Sequence, residues 1–221
     1  MLIDLHIHTT SYSGCSSIEP RDLIARARDI SLGGIALTEH GILWPDHLLR
    51  ALRRDAGLGL TILAGQEVAC YSKQGRFQGE FLVFGAHRSL GSNRSAEELI
   101  ETVRPLGGIV IAAHPYKPSR TRTGYYGLGD ACVGLNPDAV ELGHPDHDEE
   151  SLLRGTRLLK SRDLPATGGS DAHSLSAVGA YVTECFSAVA GEKDLVEIIR
   201  GGRVRPLKRN GTAYLPFADT R

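Results

Sequence analysis

Apolar residues in this chain come in short runs, and the runs stop on histidines or carboxylates. Leu2, Ile3, Leu5 and Ile7 lead through His6 to His8, and Ile35-Ala36-Leu37 leads to Glu39 and His40. Ile62-Leu63-Ala64 is followed by Glu67, Ile109-Val110-Ile111 by His114, Ala139-Val140 by Glu141, and the run that starts at Thr167 by Asp171 and His173. Short apolar runs with abrupt polar ends are the pattern of buried strands. Between them apolar residues recur at helical spacing. Pro20 opens a helix over 21–30 carrying Leu23, Ile24, Ala27 and Ile30. A second is expected over 45–56, with Leu48, Leu49 and Leu52 on one face. Ser95-Ala96-Glu97-Glu98 reads as a capping box that leads into Leu99, Ile100 and Val103. Two more are expected over 151–161 and 193–200. Strand followed by helix, repeated, specifies parallel βα units. With 81–85 counted as a strand there are seven, so the expected fold is a single domain over 1–221, a distorted (β/α)7 TIM-like barrel. Strand-end polar residues of such a barrel converge on one mouth. The glycine-rich stretch 116–137 fits no element and is expected to be a long loop.

The 221 residues, 41% apolar and 23% charged, suit one soluble domain with a full core. A formal net charge of −1 gives no electrostatic case for nucleic acid as the main partner. No apolar stretch reaches the roughly 20 residues of a membrane span. The start Met1-Leu2-Ile3-Asp4 has no basic region and does not read as a signal peptide. Cys15, Cys70, Cys132 and Cys185 lie far apart, as expected of reduced thiols in a cytoplasmic protein.

The strand ends carry the chemistry. In an extended strand His6 and His8 point to the same side, with Asp4 deeper on it. Asp171 and His173 repeat that spacing after a glycine turn. With His40, Glu67 and His114 they make a mixed nitrogen and oxygen donor set that suits zinc, manganese or iron. Glu67 is the natural bridge, because a carboxylate can offer one oxygen to each of two ions.

The motifs resemble the PHP family, the polymerase and histidinol phosphatase phosphoesterases, over nearly the whole chain. The carrying residues are Asp4-Leu5-His6-Ile7-His8, Thr38-Glu39-His40, His114-Pro115, Ser170-Asp171-Ala172-His173 and Glu67. The resemblance implies a distorted (β/α)7 barrel with two or three divalent ions. His6, His8, Glu67 and Asp171 would hold the first, Glu67 and His114 the second, and His40 and His173 the third. A further ligand of the second ion is left between His87, which ends a strand, and Glu80, which precedes it. The stretch after the first motif lacks the usual aspartate or histidine, and Cys15 is the only strong donor there. Glu39 stands where an aspartate is commoner, and reads as a partner of a ligating imidazole. Glu141 and His144 occupy positions near the substrate in many relatives.

The expected reaction is hydrolysis of a small phosphate monoester by a metal-activated hydroxide, with Asp171 and His173 in catalytic positions and His173 able to protonate the leaving oxygen. Lys117, Arg120 and Arg122 follow His114 and are expected to hold the phosphate. An amidohydrolase also begins with His-x-His, but no lysine closes an apolar strand to bridge ions. A non-catalytic regulatory module should have lost ligands. Arg203, Arg205, Lys208 and Arg209 read as a solvated basic tail, and Trp44, His47 and His147 as surface or packing residues.

Overall fold

The computed structural model describes residues 1–119 and 124–216. Its strands are β1 (Leu2–Ile7), β2 (Gly34–His40), β3 (Thr61–Tyr71), β4 (Phe77–Phe84), β5 (Ile109–Ala112), β6 (Ala139–Gly143), β7 (Ala166–Gly168), β8 (Tyr181–Cys185), β9 (Val204–Asn210) and β10 (Ala213–Leu215). The helices are α1 (Pro20–Asp29), α2 (Asp46–Ala56), α3 (Ala96–Val103), α4 (Glu149–Arg162) and α5 (Glu192–Arg200). All five helices fall where the apolar spacing placed them. Pro20 stands in the first turn of α1, and the Ser95/Glu98 capping box closes reciprocally on α3. The 116–137 loop is not wholly irregular, since Gly129–Leu135 coils as a 3-10 helix within it.

The strands form one ten-stranded sheet in the order β10-β9-β8-β1-β2-β3-β4-β5-β6-β7. β1, β2 and β3 run parallel, as do β5, β6 and β7. β4 corrects the expectation of seven parallel units. It is the return strand of a hairpin and lies antiparallel to both β3 and β5. The five-residue turn 72–76 leaves no room for the crossover helix that a parallel strand needs. The basic C-terminal segment is also not a tail. Arg205, Lys208 and Arg209 lie on β9, which pairs antiparallel with β8, and Arg205 is salt-bridged to Glu184.

The sheet curls until its ends meet. Gly168 of β7 approaches β8 so closely that a Cβ there would lie 2.6 Å from the Val182 carbonyl. The Thr183 hydroxyl bridges the contact, accepting from Gly168 N and donating to its carbonyl, each at 2.8 Å. Just beyond β7, Ala172 forms a parallel bridge to Ile7, with His8 N donating to Ala172 O at 3.1 Å. Inside the curl, Ile3, Leu5, Ala36, Leu63, Leu82 and Ile111 form an apolar floor that α5 extends with Leu195, Val196 and Ile199. α1 and α2 cover one outer flank, α3 and α4 another.

Candidate metal centre

Above that floor the polar strand ends converge. β1 contributes His6 and, one residue past its end, His8, both buried. Its register against β2 slips by one residue between Asp4 and Ile7, a bulge that re-aims the strand end. Asp4 therefore does not join the cluster. It accepts backbone N–H bonds from Ser170 (3.0 Å) and Gly179 (2.8 Å) and fastens β1 to the chain beyond β7. Its burial pushes its carboxyl up to about 6.

Glu67 is the centre of the group. Its Oε1 lies 3.3 Å from His6 Nε2 and 3.0 Å from His114 Nε2, while its Oε2 lies 3.5 Å from His8 Nε2 and 2.9 Å from His40 Nδ1. Each oxygen thus faces a different pair of imidazoles, as a bridging carboxylate must. Asp171 Oδ1 sits 3.4 Å from His6 Nε2 and 3.3 Å from His8 Nε2, and Oδ2 is 3.4 Å from His144 Nε2. His40 and His173 both stack against His8, with centroids at 4.3 and 4.5 Å. One ligand atom from each of these three histidines lies within 4.8 Å of the others. All seven expected ligands, His6, His8, His40, Glu67, His114, Asp171 and His173, are therefore brought together.

Glu80, not His87, reaches the cluster, with Oε2 at 3.5 Å from His114 Nε2. Because β4 runs backwards, its first half lies at the mouth, and His87, past its last residue, is exposed at the other end. The sequence pattern sets Glu141 and His144 near the substrate, but the structure gives Glu141 another place. It is fully buried, accepts from His6 Nδ1 at 3.1 and 3.2 Å, and accepts from the backbone N–H of His114 at 3.0 Å. A similar chain stands behind His8, whose Nδ1 donates to Ser13 Oγ at 3.2 Å. Ser13 in turn donates to Glu39, which also accepts from Trp44 Nε1 at 3.0 Å and from Thr9 N at 3.1 Å. These outer bonds fix Nδ1 as the donor on both rings and leave Nε2 facing inward. Trp44 and His147 are buried as packing residues, and His47 is exposed. Cys15 is exposed, with Sγ 3.3 Å from His40 Nε2.

Burial opposes ionisation of Glu67 and Asp171, but the imidazoles around them, His6 first, hold both well below the usual carboxylate range. Burial likewise works against a charge on His6, yet Glu141, Asp171 and Glu67 raise it well above its ordinary value. Burial pushes the Glu80 carboxyl up to about 7, with Glu67 adding to the effect. The cluster thus demands positive charge at the inward nitrogens. Cations fit it, because His6 Nε2 and His8 Nε2 are buried and face it without a hydrogen-bond partner. Backbone strain marks the same place. His114 (φ 26°) and Asp171 (φ 48°) hold left-handed conformations that residues with a Cβ rarely adopt.

Lys117 lies at the rim, its Nζ 2.8 Å from Asp171 Oδ2 and 3.5 Å from Asp146 Oδ2. Those carboxylates overcome the effect of its burial and hold its ammonium above the ordinary lysine value. Arg120 and Arg122 lie outside the described residues.

Comparison with known proteins agrees with this architecture. The PHP domain matches residues 4–118, and the PHP-associated region matches residues 149–204. An uncharacterized protein of Methanocaldococcus jannaschii is 29% identical over 176 residues, which cover 75% of this chain and 94% of that one. A Bifidobacterium adolescentis protein assigned as a metal-dependent phosphoesterase superposes with a TM-score of 0.62 at 19% identity, over 77% of this chain and 87% of that one. The lesion-specific endonuclease EndoQ of Pyrococcus furiosus superposes with a TM-score of 0.59 at 18% identity, over 90% of this chain and 56% of that one. At these identities the two structures speak for the fold. The PHP domain match spans more than half of the 221 residues, and with the strand-end cluster in place the chain belongs to the PHP family.

Proposed function

We propose that the chain is a metal-dependent phosphoesterase that hydrolyses a small phosphate monoester. The observation that carries this reading is Glu67, each of whose oxygens faces a separate pair of buried imidazoles. His6, His8, Glu67 and Asp171 would hold one divalent ion, zinc, manganese or iron. Glu67 and His114, with Glu80, would hold a second, and His40 and His173 a third. Bound ions supply Lewis acidity, which activates water and neutralises the charge on phosphoryl oxygens.

The protein's own groups supply the rest. Glu141 and Ser13 orient His6 and His8 from behind, so binding finds the rings already set. Asp171 sits between those rings and Lys117, and through it the phosphate-binding cation is tied to the metal ligands. Lys117 turns from Asp171 to a phosphoryl oxygen, a direct exchange of one anion for another at its ammonium. His173 is one-third exposed at the mouth, and where the third ion is not bound to it, it would protonate the leaving oxygen. Arg120 and Arg122, which follow Lys117 in the sequence, complete the phosphate contacts. All four cysteines are free, which suits a reducing compartment such as the cytoplasm, and no helix among the described residues is long and apolar enough to cross a membrane.

The test is metal analysis of the purified chain, followed by phosphate release from a panel of mono- and diesters. Monoester hydrolysis that chelator abolishes and manganese or zinc restores is expected. Turnover of diesters or single-stranded nucleic acid alone would move the assignment to a nuclease, and cleavage of amides or lactones alone to an amidohydrolase. An inert, metal-replete chain would leave a binding module.

A further inference from the structure

Cys15 is the exception among the four cysteines. Cys70, Cys132 and Cys185 are buried, as unpaired thiols usually are, whereas Cys15 is exposed. It stands at the metal cluster, its Sγ 3.3 Å from His40 Nε2. The rings beside it are set from behind. Glu67 Oε2 lies 2.9 Å from His40 Nδ1, a contact that places a ring proton there and leaves Nε2 as the atom next to the sulfur. His173 Nδ1 donates to Asp171 O at 2.8 Å, which leaves its Nε2 as the ligand atom.

The segment that carries Cys15 is clamped to the cluster. Ser16 Oγ donates to His8 O at 2.8 Å, and Ser17 donates to His173 O from N at 2.9 Å and from Oγ at 3.0 Å. Ser13, two residues before Cys15, accepts from His8 Nδ1 and donates to Glu39. Thr10 N donates to Ile18 O at 2.9 Å and closes the loop at its base. Residues on both sides of Cys15 are thus bonded to two of the histidines, and its own side chain meets a third. A hydrogen bond alone would gain little at so exposed a position. A second observation points to an ion. His8 belongs to the group His8, His40 and His173, whose ligand atoms lie within 4.8 Å of one another. Its Nδ1 is taken by Ser13, so it offers Nε2, which is buried and has no hydrogen-bond partner. A polar atom left in that state is costly unless a cation meets it.

We propose that Cys15 is a thiolate ligand of the third ion and that it makes the position at His40 and His173 selective for zinc. The inference rests on the metal centre of the reading above and names the donor and the ion at one of its positions. The first position draws on two carboxylates, Glu67 and Asp171, and suits manganese or iron as well as zinc. Thiolate with imidazole is a softer set that favours zinc. On binding, the thiol gives its proton to solvent and the sulfur–ion bond forms, with no change of oxidation state.

Cobalt(II) is the spectroscopic probe. The chelator-stripped full chain titrated with cobalt should develop the near-ultraviolet charge-transfer band of a thiolate-bound ion, and Cys15→Ser should lack it. Equilibrated with equal zinc and manganese, Cys15→Ser should hold one zinc per chain fewer than the parent. Cys15→Asp, which puts a hard donor in the same place, should regain the ion but lose zinc-over-manganese preference at that position by about tenfold or more. Alkylation by iodoacetamide reads the same site in the parent, where Cys15 is the one exposed thiol among the four cysteines, and zinc should slow it. A cobalt-loaded parent without the band, a Cys15→Ser chain with parental zinc content, or alkylation as fast with zinc as without it would overturn the thiolate ligand, even where other ions bind and phosphate is released. A parent chain that binds no divalent ion would sink the metal-dependent reading together with this one. If circular dichroism shows Cys15→Ser unfolded, the band and the alkylation rate of the parent decide.

Discussion

Replacing Glu141 by glutamine tests whether a buried carboxylate presents His6 to an ion. Both oxygens of Glu141 are committed, to His6 Nδ1 at 3.1 and 3.2 Å and to the His114 N–H at 3.0 Å. A glutamine in the same space has one acceptor and one donor. If its oxygen serves His114, its NH2 faces His6 Nδ1. That nitrogen must then accept, and the ring proton moves to Nε2, where the ion should bind. If the amide turns over, the buried His114 N–H is left without an acceptor. Either way a ligand-bearing residue is set wrongly. Removing the charge has two further effects that oppose each other. His6 releases its proton more easily, but the site attracts a divalent ion less. Both act on a cation at the same nitrogen, so tautomer and orientation decide the outcome. Loss of such a supporting partner costs roughly 10–100-fold in metal affinity. At about 1.4 kcal/mol per tenfold, that is on the order of 1.4–2.7 kcal/mol. The measurement is a titration of chelator-stripped protein with zinc or manganese against a competing dye, with circular dichroism as a check on folding. A folded variant whose affinities all stay within about twofold of the parent's would refute the reasoning.

Three other perturbations probe separate parts of the structure. Gly169→Ala would overlap Glu141 Oε1 and His6 Cβ, so both melting temperature and metal affinity should fall, and a variant with parental values of each would contradict the close packing. Ser95→Ala removes the capping box of α3 and should cost about 1 kcal/mol in urea unfolding with metal content intact, so a loss of metal would show that the cap does more. Burial depresses His147 to about 4 from its ordinary 6.5, so below pH 6.5 the unfolded chain takes up a proton that the folded chain refuses. Metal-free protein should therefore lose stability as pH falls from about 6.5 toward 4, and His147→Gln should flatten part of that slope; an unchanged slope would deny the residue this role.

The parallel strands and their polar ends were legible because short apolar runs and terminal histidines are local signals. β4 shows where local reading stops. Its second half, 81–84, is as apolar as any other strand's, and nothing within 77–84 says which way it runs. Direction came from the shortness of the 72–76 turn, and it decides which end meets the mouth. The sequence leaves His87 and Glu80 open because strand direction decides between them, and the reversed strand delivers Glu80, which precedes most of its apolar run. Glu141 was visible as a strand-end carboxylate, but its partner His6 is 135 residues away in sequence, so its supporting role needed the closed sheet. The bulge that removes Asp4 from the cluster left no mark in the Asp-x-His-x-His pattern. β8 to β10 were missed because charged residues on an outer strand dilute the alternation, as Arg205, Lys208 and Arg209 do on β9.

The cluster and the closure of the sheet depend on each other. Asp171 belongs to the site only because β7 and the chain beyond it are pinned at three points: Ala172 to the backbone of Ile7 and His8 and Ser170 N to Asp4, both on the β1 side, and Gly168 to Thr183 of β8. Holding Asp171 and His114 at positive φ costs on the order of 1–3 kcal/mol each. Ions that bind the folded chain alone would offset that cost, by about 2.7 kcal/mol for each site at a free concentration one hundred times its dissociation constant. The strain is thus placed where binding relieves it. The residues that close the seam, Asp4 and Thr183 among them, are then as much a part of the site as its ligands, although neither touches the inward nitrogens.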